Sequence, residues 1–166
     1  MNSITNKKLR RYRGSLVSNG KGIIYFGAWS VIKSILSIMR NPESILSNST
    51  DYPTWVMILS TLILIFSVSA IAFAVNLYIG RASCKEGLNG KKGSFYLVVA
   101  GVVAMIDIGF LLIYLVTGLS GGEDFDLALA AFLVDLTKSV LLIDIIYTAI
   151  MSRRMEKKLR SAAAEQ

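Results

Sequence analysis

Five ionisable side chains, Lys33, Asp107, Asp135, Lys138 and Asp144, stand inside stretches that are otherwise apolar. On insertion scales a charged side chain in hydrocarbon costs roughly 2.5–3.5 kcal/mol, so such groups face protein or water and find partners. Two chemistries suit acids and lysines so placed. They can form buried ion pairs that fix which helices meet and in what register. Alternatively, acids of shifted proton affinity can pass a proton or ion along a path. Composition excludes much else. The chain has no histidine and a single cysteine, Cys84, which rules out a histidine base, an internal disulfide and a Cys/His zinc site. No Gly-x-Ser-x-Gly elbow, His-Glu-x-x-His, P-loop or dinucleotide glycine motif occurs. The expectation is a protein that is not an enzyme, with no catalytic residue, no metal site and no cofactor.

Four apolar blocks position the charges: residues 23–39, 54–80, 94–119 and 126–151. The 166 residues are 54% hydrophobic, and the apolar ones are gathered into blocks of bilayer length rather than spread as stripes. This pattern predicts an all-α, integral membrane four-helix bundle with short loops, spanning residues 22–151. The first block is the shortest, and Gly27, Ser30, Ser34 and Ser37 share a helical face with Lys33. The second is uncharged; Trp55 and Tyr78 mark its interfaces, and Ser69, Ala72, Asn76 and Gly80 line a small, polar face suited to close packing. Ala100 and Ala104 offer a similar contact in the third block.

Depths follow from the helical rise. At about 1.5 Å per residue, Asp107 and Lys138 lie at the centres of their blocks, with Lys33 about 3 Å and Asp135 about 5 Å to the outer side. The expected network pairs Lys33 with Asp107, and Asp135 with Lys138 three residues on, with Trp29 stacked on the Lys33 ammonium. Asp144 lies on the opposite side of its helix, on the face that carries Tyr147. It is about 8 Å inward of mid-depth, within reach of Tyr25 and Asn76 of neighbouring blocks. A helix with two polar faces predicts contact with a second subunit or a water-filled vestibule.

The net charge of +7 is concentrated beside the blocks. Residues 1–21 form a basic tail with Lys7, Lys8, Arg10, Arg11, Arg13 and Lys21; Gly14, Gly20 and Gly22 leave it either an interfacial helix or disordered. A basic loop, Arg81 to Gly93, carries Arg81, Lys85, Lys91 and Lys92, and the tail of residues 152–166 carries Arg153, Arg154, Lys157, Lys158 and Arg160. Four crossings with both termini in the cytoplasm put 15 of the 18 basic residues inside, as the positive-inside rule requires. Lys7, Lys8, Arg10, Arg11, Arg13, Arg153, Arg154, Lys157 and Lys158 are expected to contact anionic lipid headgroups, and with no soluble module present nucleic acid is not an expected partner. Asn48-Ser49-Thr50 matches a glycan acceptor, although so short a loop makes a chance match the better account.

The expected setting is thus a multi-pass protein of the cell membrane. Its partners would be anionic lipid and another membrane protein or a second copy of itself. The leading expectation is a subunit, regulator or assembly factor that works by helix–helix association. The alternative is a small proton- or ion-coupled transporter or channel using Asp107, Asp135 and Asp144.

Overall fold

A computed structural model describes residues 2–40, 54–90, 93–118 and 125–164. The chain forms α1 (Asn2–Arg40), α2 (Thr54–Asn89), α3 (Phe95–Gly118) and α4 (Phe125–Ala164), with no strand among the described residues. The Asn48-Ser49-Thr50 triplet, Lys91 and Lys92 lie outside those residues. Two of the helical stretches, Ile58–Asn89 and Phe95–Ile113, are long and apolar enough to cross a membrane. Helices α1 and α4 are longer still, but Lys33 interrupts the apolar stretch of the first, and Asp135, Lys138 and Asp144 that of the second.

The helices overrun the predicted blocks. The N-terminal residues are helical and continuous with the first block, because α1 is unbroken from Asn2 to Arg40. Likewise α2 continues through the expected basic loop to Asn89. Gly90 ends it at φ 66°, donating its N–H to Glu86 O at 2.9 Å, the left-handed cap that glycine adopts without a Cβ clash.

The fold comprises two compact units. One contains Met1–Ile23 and Tyr78–Gln166, the other Ile24–Leu77. The first holds every buried apolar side chain among the described residues: Leu16 and Ile23 of α1, Ile79 of α2, Tyr96, Ala100 and Ala104 of α3, and Leu142, Ile145 and Ala149 of α4. The steps of four along α3, and of three and four along α4, place each set on one helix face. Along that face α3 and α4 pack on each other, with the methyl side chains of Ala100 and Ala104 allowing a close approach.

In the same unit, the glycines that look like helix breakers are contact points. A Cβ at Gly20 would meet Gly80 O at 2.8 Å and Cys84 Sγ at 2.9 Å. One at Gly87 would meet Val17 Cγ2 at 2.6 Å and Arg13 O at 2.8 Å. Ser83, fully buried between these points, donates to Leu16 O at 2.9 Å. Missing side chains therefore let α1 and α2 come close enough for such side-chain-to-backbone hydrogen bonds.

The second unit is built differently. Gly27 lies against Asn76, where an added Cβ would be 2.9 Å from the asparagine Cβ, and Ser69 donates to Ser34 Oγ at 3.0 Å. Ser30 and Ser34 return their own hydroxyls to carbonyls one turn back. The large apolar groups Ile32, Leu59, Ile63, Leu64 and Phe66 are exposed. Small and polar residues make the contact, as in helix pairs that pack without a hydrophobic core.

Candidate functional site: the ion pairs of the larger unit

At one end of this unit, α2, α3 and α4 converge on a carboxylate that the sequence hides in a basic stretch. The Glu86 side chain is 4% exposed. Arg153 of α4 grips it with two parallel bonds, Nε to Oε1 and Nη2 to Oε2, each 2.7 Å. Tyr96 of α3 donates its hydroxyl to Oε2 at 2.9 Å, and Arg153 Nη2 also donates to Gly93 O at 2.6 Å. The planar guanidinium matches a carboxylate in this two-bond geometry, which is stronger and more directional than a lysine contact. The hydrogen bond with Glu86 holds the Arg153 guanidinium above its ordinary proton affinity, outweighing the opposing effect of burial. Beside this cluster Arg13 of α1 donates from Nη2 to Glu156 Oε1 of α4, so the last helix is tied to the first as well as to the second.

Further along the bundle Asn19 of α1 donates from Nδ2 to Asp144 Oδ2. Beyond it Lys138 of α4 meets Asp107 of α3, with Nζ 3.1 Å from Oδ1, to which it donates, and 2.9 Å from Oδ2. Both side chains are mostly shielded, 13% and 20% exposed. Paired in this way, the two charges screen each other, and each helix needs only one polar position to do so.

Of the expected network, Asp107 and Lys138 are brought together, with Lys138 reaching across from α4 to α3. Lys33 belongs to the smaller unit and is exposed. Asp135 accepts a hydrogen bond from Ser139 Oγ through its backbone carbonyl at 3.0 Å. The partner of Asp144 is Asn19, in the segment taken from sequence as a tail. Tyr25 and Asn76, expected beside Asp144, belong to the smaller unit. There Tyr25 is exposed, and Asn76 donates to Ala72 O at 2.9 Å while its buried Oδ1 has no hydrogen-bond partner. Tyr147 packs edge-on against Tyr12, ring centres 6.5 Å apart.

Of the bases assigned to lipid, Lys7, Lys8, Arg10, Arg11, Arg154, Lys157 and Lys158 are exposed, whereas Arg13 and Arg153 are engaged in ion pairs. Sequence reasoning missed Glu86, Tyr96, Asn19 and Glu156. A signal existed for two of them: Glu86 is the sole acid between Arg81 and Gly93, and Glu156 the sole acid between Arg153 and Arg160. A lone carboxylate in a basic run is the natural counter-ion for a neighbouring helix.

Chemically, these groups join helices. The carboxylates of Glu86, Asp107, Asp144 and Glu156 each receive a donor from another helix, and no three His, Cys, Asp or Glu side chains among the described residues gather as a metal-binding set. Compared with known proteins, the chain matches no family model, no curated protein and no solved structure.

Proposed function

We propose that this is a non-catalytic, multi-pass membrane protein that acts by helix–helix association, as a subunit, regulator or assembly factor of the cell membrane. In this reading four crossings leave both termini in the cytoplasm. The observation that carries it is the inversion of polarity. Leu64, Ile71, Val98 and Met105 are 62–75% exposed, while Glu86, Asp107 and Lys138 are turned inward and paired. Soluble monomers rarely expose apolar patches larger than a few hundred Å²; hydrocarbon makes such a surface comfortable and drives charges inside. The basic residues beside each apolar block support the orientation.

A transporter or channel built on Asp107, Asp135 and Asp144 is the alternative. The cross-helix donors to Asp107 and Asp144 favour the structural role, because an acid that cycles a proton must be released from its partner. Two measurements on one preparation separate the readings. After mild solubilisation from its native membrane, the protein should co-purify with a stoichiometric membrane protein or with itself. Reconstituted alone into vesicles, it should leave a pH gradient intact. Dissipation of the gradient that disappears in Asp107→Asn or Asp144→Asn would replace this proposal with transport.

A further inference from the structure

We draw no further inference here: the strongest candidate, the exposed apolar face of α3 on which Val102, Met105, Leu112 and Val116 flank the open notch at Gly109, has no partner among the described residues, and nothing in the structure shows what covers it.

Discussion

At the residue scale, the ion pairs are the testable joints. Removing one member of a buried pair leaves the other charge uncompensated, a loss of about 3–5 kcal/mol in protein interiors. Glu86→Ala should sit at that end, since it strands Arg153 and Tyr96 together. Tyr96→Phe deletes one hydrogen bond to a carboxylate and should cost about 1.5–3 kcal/mol. Denaturation in mild detergent reads both, and a Tyr96→Phe protein as stable as the wild type would count against the Glu86 cluster as a structural joint. For Asp107 and Lys138 the sharper measurement is a double-mutant cycle. Asp107→Ala and Lys138→Ala should each destabilise, and the double variant should lose about 1–3 kcal/mol less than their sum. Strict additivity would contradict the pairing seen across α3 and α4. The sequence makes Asp107 and Lys138 legible as groups needing partners, because charge in an apolar block is conspicuous. It does not assign them to each other, since block centres give depth but not the rotation of each helix. Asn19 was illegible for a simpler reason: a polar residue in a polar segment carries no signal until the fold gives it a partner, here Asp144.

At the element scale, glycine spacing misleads in one direction. Gly14, Gly20 and Gly87 all lie inside helices, yet only two of them touch a neighbouring helix. Gly14 has nothing within 4 Å of a built Cβ, so Gly14→Ala should stabilise α1 by up to about 1 kcal/mol through helix propensity alone. The same change at Gly20 or Gly87 sets a methyl group under 3.0 Å from backbone of the facing helix and should lower the melting midpoint despite the better propensity. Parallel melts of the three single variants check this, and a uniform gain would mean that α1 and α2 are not in close contact. The four-helix count was legible because apolar blocks of bilayer length demand helices. Their true ends were not, because α1 and α2 continue past the apolar residues on the strength of glycine and serine contacts with each other. Those contacts are specified by the partner helix and not by local propensity.

At the scale of the whole molecule, the distribution of charge makes a claim about topology. The basic residues of the first helix's start, the α2–α3 turn and the last helix's end belong to one unit of the fold, and positive-inside bias would place that end in the cytoplasm. The proposed four-crossing topology would put the segments 41–53 and 119–124 on the outer side. With a single native cysteine, a Cys84→Ser background gives a clean reporter. A cysteine introduced at Ser49 should react with a membrane-impermeant maleimide in intact cells. One introduced at Ser3 or Ala163 should react only after permeabilisation. If Ser3 and Ala163 differ from each other, the number of crossings is odd and the first or last helix does not span. If both react in intact cells, the basic end is outside and the proposed orientation is reversed. The test discriminates because the charged pairs inside the bundle are indifferent to orientation: Glu86–Arg153 and Asp107–Lys138 are satisfied either way. In the proposed membrane setting, only the exposed bases would distinguish one side from the other.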